Sequence, residues 1–297
     1  MKLSRHLIEL ESEAIHILRD GVAESENPVL LFSAGKDSTV LAHLALRAFY
    51  PSPPPLPLLH IDSTWEFGDL LQFRDNFAAE HGFNLIVYAN EEGRRQGLNP
   101  FDHDKLYTTR MRTDALKAAL DQGGYDVIFG GARRDEEATR AKERIVSVRG
   151  PGHSWEPRRQ RPELWTHFNW TRAPGETLRA FPISNWTERD LWTYIIARNI
   201  NLAPLYYAAE RQVVERDGTL IVVDEPDRMR WLPGETSRPQ IVRFRTLGCW
   251  PVTGAVSSSA KNAGQVAYEN LTVNLSERQG RVSDAGSLEA QKREGYF

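Results

Sequence analysis

Leu3, Leu7, Leu10, Ala14, Ile15, Ile17 and Leu18 recur at near-helical spacing, which predicts an opening amphipathic helix with its acidic face outward. Val29-Leu30-Leu31-Phe32 is then a short apolar run that ends in Ser33-Ala34-Gly35-Lys36-Asp37-Ser38, after which Val40, Leu41, Leu44, Ala45 and Ala48 restore the helical period. The reading is strand, polar turn, helix. A proline-rich stretch between positions 51 and 57 cannot continue that helix and delivers the chain to a second strand, Leu58-Leu59-His60-Ile61, ending at Asp62. Leu70, Leu71, Phe73, Phe77 and Ala78 predict the next helix, Leu85-Ile86-Val87-Tyr88 a third strand, residues 116–120 the end of a further helix, and Val127-Ile128-Phe129 a strand running into Gly130-Gly131.

Strands that are nearly all apolar and alternate with helices describe a doubly wound, mostly parallel α/β sheet covered on both faces. Ligands of such sheets bind at the carboxyl ends of the strands. The polar clusters at residues 33–38, at Asp62 and at residues 130–134 each follow a strand, so they are expected to converge on one edge. From about Arg133 the pattern loosens into loops rich in Arg, Pro and Trp. The division expected is a nucleotide-binding domain over residues 1–200 and a less regular region over 201–297, serving as partner contact and cover for the site. One later helix start is clear, because Thr187-Glu188-Arg189-Asp190 fits a capping pattern followed by Leu191, Trp192, Ile195 and Ile196 on one face. Trp186, Trp192 and Trp250 are read as core.

Composition narrows the function classes. The 297 residues carry 40 acidic and 37 basic side chains, a formal charge of -3, so no global excess of charge draws the chain to nucleic acid or an anionic membrane. No apolar run reaches the roughly 18 residues of a membrane span, and the charged N-terminal segment is not a signal peptide. The single cysteine, Cys249, excludes an intramolecular disulfide and any cysteine-rich zinc site, and suits a reducing compartment, the cytoplasm.

A Ser- and Gly-containing turn between strand and helix aligns backbone N–H groups with the positive end of a helix dipole, and Lys36 adds a full charge. Gly35-Lys36 is followed by Asp37 rather than directly by Ser or Thr, so this is not the common P-loop. The bland alternative is a solvated turn with Ser38 capping the helix. Between Arg133 and Arg161 nine basic residues stand against five acidic ones, an excess that suits a polyanion, although mixed charge runs are more often salt-bridged surface. Asp62 reads equally as a nucleotide-edge carboxylate or as a cap of the next element.

Ser33-Ala34-Gly35-Lys36-Asp37-Ser38 matches the signature of the PP-loop, or ATP pyrophosphatase, superfamily. Gly130-Gly131-Ala132-Arg133-Arg134-Asp135-Glu136-Glu137, Arg161-Pro162-Glu163-Leu164-Trp165, Phe181-Pro182-Ile183-Ser184-Asn185-Trp186-Thr187-Glu188 and Val242-Arg243-Phe244-Arg245-Thr246-Leu247-Gly248-Cys249-Trp250-Pro251 resemble the small-subunit family of sulfate adenylyltransferase, as do Ser276-Glu277-Arg278-Gln279-Gly280-Arg281 and Lys292-Arg293-Glu294-Gly295-Tyr296-Phe297. The resemblance spans nearly the whole chain. It implies a PP-loop α/β domain and the conversion of ATP and sulfate to adenylyl sulfate and pyrophosphate in sulfate assimilation. ATP would enter with Mg²⁺. A large GTPase subunit would be the partner, and it, not this chain, would bind GTP.

On that resemblance Lys36, Arg133 and Arg134 are the catalytic candidates, and Ser33, Gly35, Lys36, Asp37, Ser38, Asp62, Gly130 and Gly131 the ATP-binding ones, with no metal ligand assigned. The family's Asp-Thr-Gly-Trp is here Asp62-Ser63-Thr64-Trp65, and Asp102 to Thr109 departs so far that no role carries over. Three rival readings stand beside it: an adenylyl-sulfate or phosphoadenylyl-sulfate reductase, whose Glu-Cys-Gly-Leu-His motif is absent here, a diverged adenylyltransferase with another acceptor, and a non-catalytic nucleotide-binding scaffold.

Overall fold

The computed structural model describes residues 2–136, 140–165 and 167–272. Glu137 and the two C-terminal blocks, 276–281 and 292–297, lie outside the described residues. In chain order the elements are α1 (Arg5–Ala23), β1 (Pro28–Leu31), α2 (Lys36–Phe49), β2 (Leu58–Asp62), α3 (Gly68–Glu80), β3 (Leu85–Ala89), α4 (Glu91–Arg95), α5 (Pro100–Thr108), a π-helical turn (Thr109–Asp114), α6 (Ala115–Gly123), β4 (Val127–Phe129), β5 (Val146–Arg149), β6 (Thr177–Ala180), α7 (Glu188–Arg198), β7 (Ala209–Arg216), β8 (Thr219–Val222), β9 (Arg238–Arg243), β10 (Gly254–Ser257) and α8 (Ala263–Thr272).

Strands β3-β2-β1-β4-β6-β5 form one sheet in that order, parallel except for β5 at the edge. Because side chains alternate across a strand, each apolar run feeds both faces. Leu30, Leu58, Val127 and Phe129 pack with Ile17, Leu18, Leu41, Leu44 and Phe77 of α1, α2 and α3. Their neighbours Val29, Leu59 and Ile128 pack under Ala119 and Leu120 of α6. Burying each such Leu or Ile stabilises the fold by about 1.5–3 kcal/mol, which is why near-continuous apolar strands are required here. Strand order reverses between β1 and β4, with β2 and β3 to one side and β4 and β6 to the other. The crevice at this reversal is where such sheets take ligands.

The region after residue 200, expected to be less regular, is built of short elements. Four of them close into an antiparallel barrel, β10-β8-β7-β9, which the sequence reading did not foresee. The barrel side packs on the sheet's carboxyl edge: Trp250 lies against Trp65 with ring centroids 5.4 Å apart, and Phe244 against Phe67 at 4.7 Å. Thr187 and Asp190 form the reciprocal capping box predicted for α7. Trp186, Trp192 and Trp250 are buried, as read from sequence.

Candidate active site

The Ser33–Ser38 turn begins where β1 stops. Ala34 is buried and held in the left-handed region at φ 56°, which bends the backbone so that successive N–H groups face inward. Gly35 is the N-cap of α2 and has no side chain to cap that terminus, so the helix's positive end is not closed off by its own N-cap residue. The loop is held from within and from outside. Ser38 Oγ donates to the Gly35 carbonyl at 3.1 Å and lies 3.2 Å from Ser33 Oγ, while the Lys36 N–H donates to the Tyr206 hydroxyl at 2.8 Å.

Gly131, just beyond β4, lies flush on the first turn of α2. A Cβ there would stand 3.0 Å from Asp37 C and Ser38 N. That approach brings Arg133 to the loop, where its Nε donates to Asp37 Oδ1 at 2.6 Å, while Lys36 Nζ donates to Asp37 Oδ2 at 3.1 Å. Burial works to raise the Asp37 carboxyl, but the charges and hydrogen bonds of Lys36 and Arg133 outweigh it and bring it down to about 2. Asp37 is therefore ionised at working pH and holds two buried cations beside the loop.

The remaining sequence candidates are placed less directly. Gly130 extends the ladder, its N–H donating to the Ala180 carbonyl at 2.9 Å. Arg134 turns away, donating to Asn185 Oδ1 at 2.6 Å and to the Glu143 carbonyl at 3.1 Å, with Glu163 3.5 Å off. Asp62 stands at the end of β2 and accepts the Thr64 N–H at 2.7 Å in a local turn, and the N-cap of the next helix, α3, is Phe67 and not Asp62. Thr64 takes φ 69° there, a conformation that disfavours a β-branched residue and explains why a glycine fits this slot in the resembling family. With Trp65, Arg94, Leu98, Asn99 and Arg228 it lines a cavity of about 400 Å³, in which the Arg228 guanidinium lies 3.8 Å over the Trp65 ring.

Sequence reasoning missed the floor of the cleft. His60 Nδ1 meets the Phe32 carbonyl at 2.8 Å beneath the loop. Ser63, Tyr107 and Cys249, all buried, form a polar knot: Tyr107 donates to Ser63 Oγ at 2.8 Å, and the Cys249 thiol lies 3.2 Å from both. Glu66 accepts from the Ser63 N–H and hydroxyl and from the Trp65 N–H. Burial pushes its carboxyl above the usual range despite the Ser63 bonds, with Asp62 adding to the rise. No local pattern announces these partners, since they meet across up to 186 residues of chain.

Two histidines carry a stability consequence. Burial, then the charge of Arg74, lowers His60 to about 4, and burial, then His81 and Arg47, lowers His43 to about 4. Both are depressed from 6.5, so their contribution is complete above pH 6.5 and is lost as pH falls towards 4. At about 1.4 kcal/mol per pKa unit, the pair removes about 4 kcal/mol between pH 8 and pH 5. Urea unfolding at the two pH values is expected to show this drop, and His43→Gln to remove about half of it. An identical pH dependence in His43→Gln would remove His43 as a source.

A strand, a serine-containing turn opening a helix, and a Lys-Asp-Arg cluster at the sheet's reversal point define a nucleotide-binding α/β protein of the PP-loop class. The family model for the phosphoadenosine phosphosulfate reductase domain matches residues 27–255. The curated relatives include sulfate adenylyltransferase subunit 2 of Geotalea daltonii, 57% identical over 300 residues, covering 100% of this chain and 99% of the relative. The same subunit of Brucella anthropi is 55% identical, covering 98% of this chain and 96% of the relative. The chain belongs to the sulfate adenylyltransferase subunit 2 family. Among solved structures, the FMN adenylyltransferase of Candida glabrata in complex with FMN and an ATP analogue shares the fold at TM-score 0.50 and 14% identity, covering 95% of this chain and 93% of that one.

Proposed function

We propose that the chain is the catalytic subunit that transfers the adenylyl group of ATP to sulfate, giving adenylyl sulfate and pyrophosphate. The observation that carries this reading is the Lys36–Asp37–Arg133 cluster beside the N-terminus of α2, in a member of the subunit 2 family. Residues 1–200 form the nucleotide-binding part, and residues 201–297 cover the site and meet the partner.

In this reading ATP, with its Mg²⁺, lays its β- and γ-phosphates on the N–H groups of the Ser33–Ser38 turn. Gly35 lets backbone approach the phosphates, Gly131 lets its segment lie flush on the first turn of α2, Gly130 continues the ladder beside it, and Ser33 and Ser38 fix the turn. A sulfate oxygen attacks the α-phosphorus. The new O–P bond forms as the bond to the bridging oxygen breaks, and pyrophosphate leaves with that electron pair. Sulfate is already an anion, so no general base is required, and the work is to hold two anions in line against repulsion. Lys36 and Arg133 neutralise charge gathering on the leaving group. Arg134, tied to Asn185 and the Glu143 carbonyl, holds the segment that carries Arg133. Asp62 shapes the turn at the nucleotide edge.

The name "subunit 2" of the relatives supports a partner subunit. A GTPase whose hydrolysis drives the unfavourable adenylation fits the chemistry. No helix among the described residues is long and apolar enough to cross a membrane, and we assign the work to the cytoplasm. The reductase alternative is disfavoured because its chemistry needs an accessible nucleophilic cysteine, whereas Cys249 is 1% exposed and bonded to Ser63 and Tyr107. The test is pyrophosphate release from ATP by the chain with its cognate large subunit and GTP. Sulfate-dependent release with adenylyl sulfate formed is the expected result. Release that does not depend on sulfate, or ATP binding without release, would overturn the reading.

A further inference from the structure

The anion that must approach the α-phosphate needs a cation not already spoken for, and the three arginine and lysine side chains chosen from the sequence are engaged. Lys36 and Arg133 hold Asp37, and Arg134 holds Asn185 and Glu143. Arg112 is different. It belongs to the π-helical turn Thr109–Asp114, where Met111 and Thr113 on either side are buried and Arg112 itself is exposed. The guanidinium has no hydrogen-bond or salt-bridge partner among the described residues.

Protein nonetheless surrounds that guanidinium. Cys249, and then Tyr107 and Glu66, stand near enough that their ionised forms would raise its pKa against the effect of burial, and its own charge is felt at His60 beneath the loop. Its Nη1 lies 3.9 Å from where a Cβ on Gly248 would stand, so Gly248 leaves room beside it. Arg112 is thus a cation on the wall of the cleft, between the end of β2 and the segment 248–249, reachable by solvent. Glu66, the nearby carboxyl, does not neutralise it by direct contact, because its oxygens accept from Ser63 and Trp65. π-Helical turns recur at functional sites because the extra residue re-aims one side chain.

We propose that Arg112 binds the acceptor oxyanion, receiving the sulfate through its guanidinium fork on the wall of the cleft facing the end of β2. This inference rests on the adenylyl-transfer reading above and adds to it the residue that recognises the acceptor. A planar fork of N–H donors matches two oxygens of a tetrahedral dianion, and a guanidinium is a better choice for this than an ammonium. The knot of Ser63, Tyr107 and Cys249 lies beside the guanidinium and, being fully buried and internally bonded, provides a rigid surface for it.

The test uses the complex with the large subunit and GTP, titrating sulfate at saturating ATP and ATP at saturating sulfate. In Arg112→Ala the KM for sulfate is expected to rise at least ten-fold with the KM for ATP within about three-fold, as for loss of one charge-assisted contact. Arg112→Lys is expected to recover part of the sulfate KM. A thermal midpoint for each variant checks the fold, and Arg112→Lys alone is read if the alanine variant unfolds. Sulfate and ATP constants that rise together, or a sulfate KM left unchanged, would overturn the inference while leaving the function standing. A wild-type complex with no sulfate-dependent release would instead overturn the function, and this inference with it.

Discussion

Lys36→Met is expected to lower sulfate-dependent pyrophosphate release about a thousand-fold while leaving the chain folded. On the proposed reaction the leaving pyrophosphate gathers negative charge as the bond to the α-phosphate breaks, and a buried ammonium that meets that charge would be worth about 3–4 kcal/mol. Methionine keeps the length of the aliphatic stem, which suits a side chain that is 1% exposed. Asp37 is not left without a counter-ion, because Arg133 Nε still donates to its Oδ1 at 2.6 Å. The stability loss should therefore be that of one partner in a shared pair, about 1–3 kcal/mol, and not that of an orphaned buried carboxylate. The measurements are the initial rate at saturating ATP and sulfate, and the thermal midpoint. A rate within about three-fold of wild type would remove Lys36 from the chemistry.

The sheet was legible because its strands are buried on both faces and have to be apolar throughout. The convergence of residues 33–38 with residues 130–134 followed from one rule about strand ends, and the Arg133–Asp37 bond is its outcome. The same pattern reading misses β5 and β6, where Ser147, Arg149 and Arg179 are buried polar positions. Arg149 donates there to Glu143 and Ser147 through its two Nη atoms. It misses the barrel for a related reason. In β7, Ala-Glu-Arg-Gln-Val-Val-Glu-Arg, only Val213 and Val214 are buried, so the strand carries a solvent-facing charge pattern that reads as loop. Arg134 shows the limit at the site itself. Its sequence neighbourhood is that of Arg133, but one guanidinium reaches the loop and the other reaches Asn185. Tyr206 and Arg112 carry no local signal at all, because what makes them part of the cleft is who stands opposite.

Gly131→Val is expected to lower turnover at least a hundred-fold, with Gly131→Ala about ten-fold down, by distorting the phosphate loop directly. The backbone at Gly131 is not in the left-handed region, so the glycine is required by what it touches rather than by its own φ. A Cβ would stand 3.0 Å from Asp37 C and Ser38 N and 3.2 Å from Asp37 O, and these are backbone atoms of the first turn of α2. Backbone cannot rotate aside as a side chain can, so either β4 and its trailing segment or the helix terminus must move by a few tenths of an ångström. Moving the terminus tilts the N–H groups proposed to meet the phosphates. Moving the segment pulls Arg133 from Asp37. Both changes act on positioning, for which displacements approaching 1 Å are worth about a hundred-fold in rate, whereas overpacking lowers stability by only about 1–3 kcal/mol. Gly130 provides the control: a Cβ there meets Phe181 ring atoms at 3.2 Å, a side chain that can shift. Gly130→Ala should therefore lower the thermal midpoint about as much as Gly131→Ala with far less loss of turnover. Equal losses in the two variants would mean that this whole segment, and not the contact with the first turn of α2, limits the site.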